Sequence, residues 1–196
     1  TLLRASGFRT EVVRDGQVVE TNDGNPLDFI ERYQQRFKVA LRPGLPRFCG
    51  GLAGYFGYDA VRYIEPRLAK TWKDDSIGTP DILLLQCEEL AVIDNLSGRL
   101  YLIVYADPQQ PEAWFSAKRR LSELTDKLRY SVTAPPVRRG PSHPVEREFS
   151  KAGLEAAVLK CKDYIAAGDC MQVVIGQRLR KRYTESPLAL YRALRT

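Results

Sequence analysis

Three stretches of the sequence carry residue types that could do chemistry, and each has an ordinary packing role to weigh against it. The first is AGDCMQVVIGQRLRKRY, residues 167–183. If 171–179 forms a strand, alternation puts Met171, Val173, Ile175, Gln177 and Leu179 on one face. Gln172, Val174, Gly176 and Arg178 then share the other. A primary amide at Gln172, on a face next to an apolar residue and a glycine, is costly to bury unless a substrate or nucleophile satisfies it. An edge-strand glutamine facing water is the alternative.

The second stretch is CGGLAGYFGYD, residues 49–59. No Gly-Lys-Ser/Thr follows, so it is not a phosphate-binding P-loop, and the G-x-G-x-x-G dinucleotide fingerprint is absent. Gly50, Gly51, Gly54 and Gly57, interleaved with Tyr55, Phe56 and Tyr58, suit a strand that passes close to another backbone or bends sharply. A tight strand-to-helix corner is expected, with Asp59 capping the AVRYIE segment before Pro66. The third set is His143 and four cysteines, Cys49, Cys87, Cys161 and Cys170. His143 lies between two prolines with no acid at productive spacing, which argues against a general base. No C-x-x-C occurs, and a single histidine cannot complete a zinc site of the usual kind. Cys87 and Cys161 sit among apolar residues as small hydrophobes. The expectation is a reduced, cytoplasmic chain with no cysteine-bound metal.

Charge adds little to this. Thirty Lys and Arg against 24 Asp and Glu leave +6 over 196 residues. The cations gather at Lys118, Arg119 and Arg120, at Arg138 and Arg139, and at Arg178, Arg180, Lys181 and Arg182. Interspersed acids and the lack of any nucleic-acid-binding motif point to solvated faces and to no nucleic-acid partner. No apolar run approaches the ~20 residues of a membrane span. The opening TLLRASGFRT has neither an initiator Met nor a signal pattern. The sequence therefore reads as an internal piece of a longer protein.

The elements that must position these residues can be read from periodicity. RTEVVR and QVVET flank Asp15-Gly16 and predict a hairpin over 8–21. Asn25-Pro26 predicts a helix start with Leu27, Ile30, Tyr33 and Phe37 at helical spacing. The apolar runs 82–85 and 90–93, the turn cluster 94–98 and RLYLIVY predict antiparallel strands. Pro111 opens a helix whose stripe is Trp114, Ala117, Leu121, Leu124 and Leu128. Residues 131–148 hold Pro135, Pro136, Pro141 and Pro144 and read as a linker or surface loop. Leu154, Ala157, Val158, Cys161 and Ile165 mark a further helix stopped by Gly168. After the strand at 171–179, Ser186-Pro187 caps a last helix. The expected class is mixed α+β, with antiparallel sheets and flanking helices.

FCGGLAGYFGYDAVRYIEP and YIAAGDCMQVVIGQRL, separated by PDILLLQCEELAVIDNLSGRLYLIVYADP, closely resemble anthranilate synthase component I of the chorismate-utilising enzymes. The resemblance runs from about residue 8 to 196 with the motifs in the family's order. The chorismate-aminating subunit of aminodeoxychorismate synthase shares both blocks. It more often has Val-Asn where Val173-Val174 stand, and less often has the triplet Val61-Arg62-Tyr63.

The resemblance implies conversion of chorismate to anthranilate and pyruvate with Mg2+, using ammonia from a glutamine amidotransferase partner subunit. Tryptophan would be the feedback inhibitor of the full-length protein. At the position matching Gln172, water-using relatives carry a lysine that activates water. A neutral amide there could hydrogen-bond ammonia but could not act as a base, which suits an amine nucleophile. Gln172 is thus the one residue placed near the chemistry. The family's metal-binding glutamates are expected beyond Thr196, and one departure stands inside the chain, Gly176 where the family usually has Ser. The expected organisation is an N-terminal region over 1–130, a linker over 131–148 and the start of a truncated chorismate-binding core over 149–196. The isolated chain is expected to be inactive. The alternatives are aminodeoxychorismate synthase component I and a non-catalytic module that binds a ligand or partner.

Overall fold

Alternate residues of LLRAS, RTEVVR and ILLLQC are buried, which gives three strands with one core face each. In the computed structural model, which describes residues 1–70, 75–132 and 140–195, these are β1 (Leu2–Ser6), β2 (Arg9–Arg14) and β5 (Ile82–Cys87). With β3 (Gln17–Asp23) and β4 (Gly51–Phe56) they form an antiparallel five-stranded sheet in the order β3-β2-β1-β5-β4. The expected hairpin is β2–β3, and Asp15 and Gly16 at φ 51° and 79° supply its two left-handed turn positions. β1 extends it through a second tight turn at Gly7, φ 56°, an element the sequence reading had not predicted.

Helix α1 (Pro26–Gln35) begins as expected, with Asn25 Oδ1 accepting the Leu27 N–H at 3.0 Å and Pro26 at the first helical position. Phe37 lies beyond its end. Phe29, Ile30 and Tyr33 of α1 are buried in one core with Leu3, Ala5, Val12, Ile82 and Leu84 of the sheet, and Pro26 is buried at the helix start. After β4 the chain makes a 3-10 turn over Tyr58–Tyr63, whose Ala60 and Tyr63 join the same core. The predicted corner is therefore present, but Gly57 and not Asp59 occupies the capping position. Asp59 instead pairs with Arg62 one turn on, at 2.9 Å.

Strands β6 (Glu89–Asp94) and β7 (Arg99–Val104) form the predicted antiparallel pair around the 94–98 turn. Helix α2 (Ala113–Arg129) packs against β7. It starts two residues after Pro111, because Glu112 takes a left-handed φ of 55° that interrupts helical geometry. Only Ala117 of its predicted stripe is buried, and Trp114 and Leu128 remain exposed.

Contact density separates a unit at Thr1–Ser131 from one at Val132–Thr196. In the second, α3 (Lys151–Ala166) is capped by Ser150, whose Oγ accepts the Gly153 N–H at 3.1 Å, and Gly168 follows it at φ 83°. Its apolar face is at most half-buried. Residues 145–148, expected as linker, contain strand β8 (Val145–Arg147), which pairs with β9 (Leu179–Lys181). Pro135, Pro136, Arg138 and Arg139 lie outside the described residues. The predicted strand over 171–179 is corrected: among the described residues only its last position is strand. Alternation alone does not make a strand, and no described strand pairs with 172–177 to complete a hydrogen-bonded ladder. Helix α4 (Pro187–Leu194) starts at Ser186-Pro187, but the Ser186 side chain makes no capping bond.

The close approach read from the glycines occurs at Gly54, where an added Cβ would run into the Leu83 carbonyl of β5. Gly176 has open space around it. Gly54→Ala should lower the unfolding free energy by about 1–3 kcal/mol, read as a fall in the urea midpoint. Gly176→Ala should stay within ~0.5 kcal/mol. Equal effects at the two sites would show that the β4–β5 approach is not what selects glycine at 54.

Candidate functional site

Gly168 ends α3 and turns the chain into the segment that carries Gln172. The Asp169 N–H donates to the Tyr164 carbonyl at 3.0 Å and closes that turn. Beyond it Gln172 is exposed and makes no side-chain hydrogen bond among the described residues. Val174 is 85% exposed beside it. The amide that would be costly to bury is thus in solvent. The one anchored side chain of the segment is Gln177, whose Nε2 donates to the Phe149 carbonyl at 2.9 Å. Just after it, the Arg178 carbonyl accepts the Glu148 N–H at 3.1 Å. These bonds fix the far end of the segment against β8 and leave Gln172 at the free end.

The other candidates resolve into packing. His143 is half-buried, and its Nε2 has no hydrogen-bond partner among the described residues, so nothing there orients it as a base. All four cysteines are free. Cys49 is buried and accepts a long hydrogen bond from Tyr105 Oη at 3.6 Å. Cys87 and Cys161 are only half-buried. Arg120 reaches both Glu89 and the Tyr105 carbonyl, and Arg119 lies 3.7 Å from Glu123. That part of the basic surface is internally neutralised. Among the described residues no three His, Cys, Asp or Glu side chains gather to hold a metal ion. The described residues therefore do not make a site for Mg2+.

One polar centre was missed by the sequence reading. Asp81 Oδ2 accepts from Tyr63 Oη at 2.6 Å and from the Gly7 N–H at 2.8 Å. Its own N–H donates to the Ala5 carbonyl, and its carbonyl accepts the Gly57 N–H at 2.7 Å. Tyr63 stands edge-on to Phe8, and its carbonyl accepts from Asn25 Nδ2. The available signal was a single acid directly before the apolar run ILLLQ. Burial first, and then the hydrogen bond and charge of Asp81, push the Tyr63 hydroxyl well above its ordinary value. A phenol held in this way stays un-ionised near neutral pH. The pair is a structural clasp.

Against known families, residues 5–196 match the chorismate binding enzymes. The chain belongs to that family. It is 52% identical over 198 residues to anthranilate synthase component 1 of Neisseria meningitidis serogroup B, covering 99% of this chain and 40% of that protein. Identity to the Pseudomonas aeruginosa component 1 is 44%, over 100% of this chain and 41% of the relative. Among solved structures, anthranilate synthase component I from Streptococcus pneumoniae TIGR4 superposes with a TM-score of 0.74 at 25% identity. That match covers 100% of this chain and 44% of the other. The mixed α+β expectation holds, and this chorismate binding chain spans about 40% of the length of the curated relatives it matches. No helix among the described residues is long and apolar enough to cross a membrane.

Because the raised Tyr63 value keeps the folded state protonated where the unfolded phenol ionises, its contribution is complete below pH ~10 and declines as pH rises above that. Tyr33 and Tyr105 are raised in the same direction by burial. Tyr63→Phe should therefore lower stability at pH 7 by about 1–3 kcal/mol and flatten, without abolishing, the alkaline fall. Unfolding free energy measured from pH 7 to 11 checks this, and an alkaline slope identical to the parent's would remove Tyr63 from the linkage.

Proposed function

We propose that this chain is part of the large subunit of an anthranilate synthase, which converts chorismate and ammonia to anthranilate, pyruvate and water. The observation that carries the reading is 52% identity, across 99% of the chain, to a protein named for that activity. The family match over 5–196 supports chorismate as the substrate class. In this reading ammonia comes from a glutamine amidotransferase subunit, tryptophan is the feedback inhibitor, and the enzyme works in the cytoplasm. Mg2+ is held by residues beyond Thr196.

Gln172 is the residue of this chain assigned to the chemistry. Its side-chain carbonyl would accept an N–H of ammonia and hold the nitrogen in place. That arrangement leaves the nitrogen lone pair free to attack the ring. A neutral amide takes no proton from the nucleophile, and ammonia, unlike water, does not need to lose one before it attacks. The exposed position of Gln172 is compatible with this role, because its side chain is not consumed by packing within its own unit.

Anthranilate fluorescence with chorismate, Mg2+ and ammonium tests the assignment. The complete subunit should turn over and the isolated 196-residue chain should not; turnover by the isolated chain would overturn the reading that most of the active site lies outside it. A product that retains its enolpyruvyl group would place the protein with aminodeoxychorismate synthase instead. In the complete subunit, Gln172→Lys should lower ammonia-dependent kcat/KM by about 100-fold or more, as loss of positioning does. Unchanged ammonia kinetics would remove Gln172 from the site.

A further inference from the structure

The five-stranded sheet has two outer edges, and their chemistry is opposite. β3, QVVETND, is guarded. It carries Glu20 and Asp23, its register with β2 shifts between Val12 and Val13, and Arg36 from just past α1 binds Glu20 through two 2.7 Å hydrogen bonds. Acidic side chains and irregular register are the usual devices that stop an edge from recruiting another strand. β4, GLAGYF, has none of them. Its six residues contain no charge and no proline, and they pair in continuous register with β5.

The backbone polarity of that edge can be worked out. Gly57, opposite Asp81, donates its N–H to the Asp81 carbonyl. Hydrogen-bonding direction alternates along an antiparallel strand, so Tyr55, Ala53 and Gly51 also face β5. Leu52, Gly54 and Phe56 therefore direct their N–H and C=O groups outward, away from every described strand. The side chains beside this edge are also uncovered: Phe56 is 55% exposed and Tyr58 94%. On the face opposite α1, Val18, Val13, Leu2, Leu85 and Ala53 form an apolar row across all five strands, with Leu85 56% exposed. An unguarded apolar edge of this kind is a pairing site.

We infer that the outer edge of β4 is an internal position of a wider sheet, paired through Leu52, Gly54 and Phe56 with a strand of the same polypeptide from outside residues 1–196. The occupant is argued from length. Relatives that match 99% of this chain devote only 40% of their own residues to it, so most of a subunit of that kind is available to supply the strand. The inference rests on the reading of this chain as part of a longer large subunit.

The test uses the complete gene product. Backbone amides of Leu52, Gly54 and Phe56 should exchange with deuterium at least ~100-fold more slowly than the outer amides of β3. The difference should persist on dilution. With benzoylphenylalanine in place of Phe56, photocrosslinks should map to peptides outside 1–196. Equal exchange at the two edges would overturn the inference. So would protection that vanishes on dilution, which would mark a second copy as the occupant, and so would crosslinks confined to 1–196. Exchange and crosslinking do not depend on which product the enzyme releases, so they stand or fall separately from the anthranilate assignment.

Discussion

The larger unit depends on the placement of one carboxylate. Asp81 stands at the entry to β5 and ties together the β1–β2 turn through Gly7, the end of β1 through Ala5, the strand-to-helix corner through Gly57, and the 3-10 turn through Tyr63. Two stretches distant in sequence, 5–7 and 57–63, share this one residue. A half-buried carboxylate is tolerable only because its hydrogen bonds replace water, and removing any donor leaves it short. The core above it, Leu3, Ala5, Val12, Ile82 and Leu84 against Phe29, Ile30 and Tyr33, needs that alignment to bring its faces together.

The glycine-rich motif follows from the same constraint. β4 must lie close enough to β5 for Gly54 to meet the Leu83 carbonyl, and the chain must then turn at Gly57 toward Asp81. The close backbone approach expected from the glycines is thus made at Gly54. The aromatic residues of the motif, Tyr55, Phe56 and Tyr58, stay largely uncovered. They give β4 an outer surface unlike that of any guarded edge, and membership of the chorismate binding family, in relatives more than twice as long, supplies the setting in which that surface makes sense.

The second unit bears on function in a different way. α3, β8, β9 and α4 form, but no described strand pairs with 172–177, and Gln172 is exposed. Burial and hydrogen bonding are what would give a neutral amide a definite orientation, and neither is supplied by the described residues. Gln177, bonded to the Phe149 carbonyl, shows the anchoring that Gln172 lacks.

Local patterns in the sequence determined the local elements. The Asp15-Gly16 hairpin, the Asn25-Pro26 helix start, the β6–β7 pair and the Gly168 stop each depend on a few adjacent residues whose backbone preferences are strong. The two motifs in their order also carried the family. Tertiary structure decided what depends on distant partners. It made Asp81 a four-way junction, moved the α2 start past Pro111, left the alternating run at 171–177 outside any described strand and built β8 inside an expected linker. In each case the outcome turns on whether a partner is present to accept a hydrogen bond or cover an apolar face, and a linear pattern does not contain that information.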